Sequence, residues 1–181
     1  MATNEKTLRA NVTILAAYPE AFAHPNAPKA AELNDQFVYG TNEDAMVFNV
    51  WCGLLDEYTL NMEDPDTDDT LTVCDLGNVE TPTFDNYSVE IDALRDAEIL
   101  DEGVYNMIFE LFRSEGRPFI LVKRIGKQND AQFLTDGSDV VSLYGVETDF
   151  PVDVVEDNTM LQFGPRFKNT GFLVPNYLVV S

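Results

Sequence analysis

The sequence has little of the chemistry on which most active sites depend. Its 181 residues include one histidine, His24, and two cysteines, Cys52 and Cys74. His24 lies in a proline-rich stretch, and the chain contains neither a Gly-x-Ser-x-Gly elbow nor a Gly-x-x-x-x-Gly-Lys-[Ser/Thr] loop. The cysteines have no metal-ligand spacing, so we expect two reduced thiols. Carboxylate pairs are available among the acids, but nothing singles out two of them. We therefore predict no enzymatic activity and no cofactor.

Basic residues are also scarce: 11 Lys and Arg stand against 32 Asp and Glu, a formal net charge of −21. This balance argues against a nucleic-acid-binding role or a role on an anionic membrane, because Lys and Arg supply the affinity for phosphate. No apolar run approaches the length that spans a bilayer. The short run Val12–Tyr18 contains a threonine and closes on Pro19 and Glu20, which makes it a poor secretory signal. We expect no membrane partner.

The acidity is concentrated in residues 61–102, where fourteen acids and one basic residue, Arg95, give −13 of the −21. The first part, Glu63–Asp69, looks like a loop. Further on, Tyr87, Val89 and Ile91 alternate with polar residues, which is typical of a strand with one solvated face. The simplest interpretation is an acidic surface that keeps the protein soluble; the other is that the charge has a function on a folded scaffold.

The remaining pattern predicts one domain of mainly β structure, a β-sandwich or half-barrel with one flanking α-helix. The helix is indicated by apolar residues spaced i, i+3, i+4, i+7 and i+8 from Val104 to Phe112, and Gly116 ends it. We expect a loop at 19–28 and a strand or arm at 1–18. The other predicted strands are 46–55 with its continuation 58–60, 84–92, 118–125, 140–156 with Val146, Phe150, Val152 and Val154 facing inward, 160–168 and 172–180.

One metal site is conceivable in the acidic run. Asp64, Asp66 and Asp68 fall at positions 1, 3 and 5 of an EF-hand-like calcium loop, with Asp75 at position 12. However, Asp69 occupies the position where the turn needs glycine, and neither flank is typical of a helix. A solvated acidic hairpin loop is the preferred interpretation.

Five of the eleven basic residues lie within residues 113–127, where Glu115 is the sole acid. The chain's overall charge opposes their use as a nucleic-acid patch. Set beside the acidic run, the cluster instead suggests that one molecule binds another. The candidate inter-subunit residues are Glu63, Asp64, Asp66, Asp68 and Asp69 on one side and Arg113, Arg117, Lys123, Arg124 and Lys127 on the other.

The order of elements and several short strings resemble the major tail proteins of siphophages, particularly those of actinobacterial hosts. The strings are Cys52-Gly53, Tyr58-Thr59-Leu60, Asp66-Thr67-Asp68-Asp69, Cys74-Asp75-Leu76-Gly77-Asn78, Thr81-Pro82-Thr83 and Asn86-Tyr87. The resemblance covers roughly residues 46–156. It implies a tail tube protein of the virion, assembled in the host cytoplasm into hexameric rings that stack around the tape measure protein and contact tail terminator or distal tail proteins.

The same resemblance places an inter-ring loop at 61–75 and arms at 1–18 and 171–181; it does not place 19–45 or 127–139. Viral DNA would pass through the tube without specific binding. An acidic strand face would then line the lumen, with Glu90, Asp92, Glu147, Asp149 and Asp153 as candidates; the alternative is an exterior solvated sheet. The rival functions are a capsid decoration or head–tail connector protein and, from another class, a calcium-dependent binding module.

Overall fold

A computed structural model describes residues 12–68, 81–96, 102–125, 139–154 and 161–179. Within these ranges the fold is mainly β and its sheets are open, which confirms the predicted class. The α-helices are α1 (Ala30–Asn34) and α2 (Val104–Phe112). The strands are β1 (Val12–Ala17), β2 (Val47–Asn49), β3 (Thr59–Asp68), β4 (Thr81–Glu90), β5 (Ala93–Leu94), β6 (Pro118–Ile125), β7 (Val140–Thr148), β8 (Val152–Val154), β9 (Gln162–Gly164) and β10 (Phe167–Leu178).

The centre of the fold is a five-stranded antiparallel sheet with strand order β10-β7-β6-β1-β2. Its middle strand, β6, pairs with β1 and β7, so that Leu121 lies between Ala16 and Tyr144. All of β1 and most of β6 and β7 are buried. Their near-continuous apolar sequence reflects burial on both faces of the sheet.

The core has two layers because successive residues of a strand point to opposite faces. On one face, Ile14 and Leu121 join α2 residues such as Ile108 and Phe112. On the other face, Leu15 and Val122 pack with a second set of apolar residues, which comprises Phe22, Leu33, Val47, Val141, Leu143 and Val179. The short helix α1, which the sequence did not predict, covers this second layer through Leu33.

Helix α2 confirms the helical periodicity. Of its five predicted apolar positions, Val104 is half-buried and the other four, Met107, Ile108, Leu111 and Phe112, are buried. Gly116 lies in the turn after the helix with φ +78°, a backbone conformation that glycine adopts without steric cost. The N–H of Gly116 donates to the carbonyl of Thr148 at 2.8 Å. The turn thereby ties the end of α2 to β7.

The predicted strand 46–55 is shorter than expected, since β2 covers only Val47–Asn49. The backbone N–H of Trp51 donates to Oδ1 of Asn49 at 3.3 Å, which turns the chain into a single 3-10 turn at Trp51–Gly53. Gly53 lies against the side chain of Ile108, where an added Cβ would clash. An apolar run that would suit a strand is therefore bent to fit beneath α2.

The predicted strand 140–156 is two strands in two different sheets. β7 ends at Thr148, and β8 pairs with β9 in a small sheet ordered β5-β9-β8. Phe150, which the sequence predicts to face inward, is 68% exposed in the intervening turn. The turn follows from local bonds: the N–H of Asp149 donates to the carbonyl of Arg166 at 2.7 Å, and Pro151 has no N–H to continue the ladder.

The segments expected to be arms contain strands of the main sheet. Val12–Ala17 is β1, an interior strand, which agrees with the strand alternative for residues 1–18. Gly171–Leu178 belongs to the edge strand β10, which pairs with β7 through Leu173 and Tyr177 and carries two register shifts. Residues 171–178 are thus paired within their own chain, and an arm that reaches a neighbouring subunit at 171–181 stays a prediction. Residues 1–11 and 180–181 lie outside the described ranges.

Candidate assembly surfaces

The most prominent surface feature is an antiparallel ribbon formed by β3 and β4. The two strands pair from Thr59 and Glu90 at one end to Asp68 and Thr81 at the other, with register shifts between Glu63 and Thr67. Among the described residues, they share no sheet with other strands. Ten residues of strand extend about 33 Å. The acidic run predicted to be a loop is therefore a strand as far as Asp68, and the rest of the predicted inter-ring loop lies outside the described residues.

Tyr87 fixes β4 to the main sheet. Its side chain is buried, and its hydroxyl donates to the carbonyl of Gly145 on β7. The same oxygen accepts the backbone N–H groups of Thr170 and Gly171 on β10, each at 3.1 Å. Asn169 also donates its side-chain amide to the carbonyl of Tyr87. The alternating pattern predicts Tyr87 as a core residue but gives no sign of this network, because its partners lie 58 to 84 residues away.

Lys123 of β6 fixes the other strand of the ribbon. Its Nζ donates to the carbonyl of Leu60 at 2.7 Å and to Oδ1 of Asn61 at 3.0 Å, and it lies 6.0 Å from the centre of the Tyr58 ring. Burial lowers the pKa of the Lys123 ammonium. The sequence predicts Lys123 as a countercharge for a neighbouring subunit. In the structure its ammonium binds the base of the ribbon in its own chain.

Beyond this base the ribbon presents charge to solvent. Glu63 and Asp64 are exposed, and so is Met62 beside them. Of the other predicted acids, Asp66 and Asp68 belong to β3 by their backbone pairing, while Asp69 and Asp75 lie outside the described residues.

The extended backbone of β3 differs from the calcium loop considered for Asp64, Asp66, Asp68 and Asp75, of which Asp75 lies outside the described residues. An EF-hand loop wraps its first five positions around one ion, whereas these positions run along a paired strand. In the described part of the chain, no group of three or more His, Cys, Asp or Glu residues could hold a metal ion. The strand pairing of residues 66–68 does not favour the EF-hand interpretation, and calcium binding at this segment stays a hypothesis.

The predicted basic cluster divides into different environments. Arg113 is half exposed and forms an ion pair with Glu110 at 2.8 Å, and Arg117 donates to the carbonyl of Glu110 at 3.4 Å. Arg124 differs from the predicted surface position, because it is only 3% exposed and its Nη2 donates to Oγ1 of Thr13 at 2.9 Å. Burial lowers the pKa of Arg124 and the nearby Asp139 carboxylate opposes that shift. Lys127 lies outside the described residues.

The alternation predicted along β4 is seen at Tyr87 and Ile91, which are buried, and at Glu90, which is exposed, while Val89 is half-buried. Asp92 is half-buried. The other lumen candidates occupy different sheets: Glu147 is half-buried on β7, and Asp153 lies on β8 opposite Phe163. Glu90, Glu147 and Asp153 thus lie on three different sheets, whereas Asp92 and Asp149 lie between strands. Whether any of the five acids faces a channel stays a prediction.

Asp149, the remaining lumen candidate, has a structural role in its own turn. Its Oδ1 accepts the backbone N–H of Phe150 at 2.9 Å and lies 3.3 Å from Nζ of Lys168. The Phe150 N–H, with the Lys168 ammonium, holds the pKa of the Asp149 carboxyl below its usual range. Lys168 also lies 3.6 Å from Glu115. These contacts fix the turn that carries Phe150.

A sequence profile of the family described as phage tail tube protein matches residues 1–181. No curated protein matches the chain. Within the residues described by the structure, no helix is long and apolar enough to cross a membrane.

Proposed function

Because the chain belongs to the phage tail tube protein family, a family of non-enzymatic structural proteins of the virion tail, we propose that it forms hexameric rings that stack into a hollow tube. The tape measure protein would occupy the lumen before viral DNA passes through it. Tail terminator and distal tail proteins would contact the two ends. The β3–β4 ribbon supports the stacking of rings, whereas the hexameric symmetry and the tail partners extend the family assignment.

An isolated two-stranded ribbon is at best marginally stable in water. This ribbon is anchored at its base by Tyr87 and Lys123, but Met62, Glu63 and Asp64 beyond the base are exposed. Exposed strand edges also invite pairing or coverage by another chain. The ribbon therefore fits a segment that is positioned by its own subunit and completed by a subunit of the adjacent ring.

Charge would contribute to this contact by repetition. Arg113, an exposed arginine of the predicted basic cluster, is the leading countercharge for Glu63 and Asp64, with Arg117 beside it. A single exposed ion pair contributes only about 0–1 kcal/mol, and salt screens it. Six such contacts per ring junction would be significant together, so we expect the tube to dissociate more readily at high ionic strength.

The test of assembly is negative-stain microscopy of concentrated protein combined with hydrogen exchange. Stacked rings are expected, and the amides of residues 61–68 should exchange fast in the monomer and slowly in the tube. Helix α2 is the internal control, since its core-facing residues should be protected in both states. Protein that stays monomeric at high concentration, or equal exchange of 61–68 in both states, would contradict the proposal.

The lumen assignment has a separate test. Like charges 10 Å apart in water repel by only about 0.4 kcal/mol, but repetition along a tube would keep DNA phosphates from adhering to the wall. The double change Glu90→Lys with Asp92→Lys should leave assembly intact and slow DNA exit from particles. The matched control is Glu43→Lys with Asp44→Lys, which reverses two exposed charges before β2. Wild-type ejection rates for the Glu90 and Asp92 variant would refute this face as the lumen.

A further inference from the structure

Phe150 is presented to solvent by a fixed turn. It is more exposed than any other large apolar residue in the described ranges. Asp149 holds the turn through the Phe150 N–H and Lys168, and Pro151 restricts the backbone that follows. An aromatic ring held in water forgoes the hydrophobic stabilisation that burial would give. Such a ring is suited to insertion into a partner.

The chain also carries an aromatic pocket open to solvent. Its volume is about 220 Å³, and Glu110 and Arg117 lie at its rim. An apolar cavity of about 150 Å³ accepts benzene, so this pocket has room for a phenyl ring. Its apolar lining consists of Tyr18, Phe37, Tyr39, Phe48, Met107 and Leu111.

The pocket is a preorganised aromatic site. The Phe37 ring packs edge-on against Tyr39 at 4.9 Å between centroids and tilts against Phe48 at 5.2 Å. Tyr18 meets Phe48 edge-on at 5.8 Å and stacks on the core residue Phe119. Because aromatic rings favour such edge-on and offset contacts, an additional phenyl ring would extend the same packing.

Phe150 and the aromatic pocket lie at the same end of the five-stranded sheet. Phe150 follows the end of β7, whereas the pocket is formed where β1 ends at Ala17 and β2 begins. Two to three strand positions separate them in the order β7-β6-β1-β2, or roughly 10–15 Å across the sheet. The 68% exposure of Phe150 shows that it does not occupy the pocket of its own chain.

We propose that Phe150 of each subunit inserts into the aromatic pocket of the next subunit within the ring. A second copy is the occupant because the chain itself supplies a ring of the right size and chemistry at the same level of the sheet. The two patches are distinct, so the contact is heterologous and repeats around a ring. The inference rests on the proposed function and adds the lateral contact to the inter-ring contact of the ribbon.

The direct test is a photo-crosslinking phenylalanine analogue at position 150, in assemblies that mix isotopically heavy and light copies. Mass spectrometry should find crosslinks between heavy and light chains at residues of the pocket, with Tyr39 and Met107 as leading acceptors. Crosslinks confined to one chain, crosslinks to another surface, or assembled tubes without crosslinks would each refute the inference.

Truncation supplies the second test. Phe150→Ala should leave the melting of the monomer unchanged and weaken the lateral contact about 30-fold or more in dissociation constant, as measured by sedimentation. Ile125→Ala is the matched control, because Ile125 is 53% exposed at the opposite end of the sheet. If wild-type protein and the Phe150→Ala variant form tubes equally well, only this inference fails. If the wild-type protein forms no rings or tubes, the proposed function fails with it.

Discussion

Removal of the Tyr87 hydroxyl is the sharpest test of how the ribbon is attached. The change Tyr87→Phe keeps the buried ring and its packing but deletes the atom that joins three strands. The backbone N–H groups of Thr170 and Gly171 lose their acceptor, and the carbonyl of Gly145 loses a donor.

The magnitude follows from the groups that are left without partners. A buried polar group without a hydrogen bond costs about 1–3 kcal/mol. Water reaches part of this region, because Thr170 and Gly171 are exposed residues at a register shift of the edge strand. We therefore expect a loss of about 2–4 kcal/mol in the free energy of unfolding, which for a chain of this length lowers Tm by about 5–15 °C.

Urea unfolding of dilute monomer would measure the loss, and hydrogen exchange would locate it at the amides of Thr170 and Gly171. The control is Tyr18→Phe, in which the deleted hydroxyl makes no hydrogen bond to a described residue and the ring stacking on Phe119 remains. We expect that control to change stability by less than about 1 kcal/mol. Equal effects of the two substitutions, or unchanged exchange at Thr170 and Gly171, would show that the Tyr87 hydroxyl is not the anchor.

Three further predictions follow from single side chains. Lys123→Met should destabilise the monomer by about 1.5–3 kcal/mol, because the carbonyl of Leu60 loses a charged donor; amide exchange that stays unchanged at the base of β3 would contradict this. Arg124→Glu should lower the free energy of unfolding of the monomer by about 3–5 kcal/mol, because it places a carboxylate in a buried site. Urea unfolding that is the same as in the wild-type protein would show that Arg124 lies on the surface. The pKa of the Asp149 carboxyl is lowered in the folded state, so its stabilisation of the Phe150 turn is present above the unfolded-state pKa near 3.9 and is lost as pH falls through the folded-state pKa. NMR of the Phe150 amide between about pH 5 and 2 should show this loss. A loss near pH 6 would implicate another group.

The sequence by itself determined the elements whose signal is local. The apolar spacing of α2 reflects one helix face packed against a sheet. The predicted strand 118–125 has the same bounds as β6, most of whose side chains are buried. Alternation correctly separated Tyr87 and Ile91 from Glu90. The charge of the acidic segment is also visible in the sequence alone, but its pattern predicts a loop where the structure has a strand as far as Asp68.

The tertiary structure alone decided how those elements are connected. Residues 63–68 are a strand because β4 pairs with them, and charge and proline in the run conceal that pairing. Arg124 is buried because Thr13, 111 residues earlier, lies beside it on β1. Phe150 is exposed because the chain leaves one sheet for another at that point. Hydrophobic periodicity reports the environment along one segment, whereas these features depend on contacts between distant segments, which no local pattern encodes.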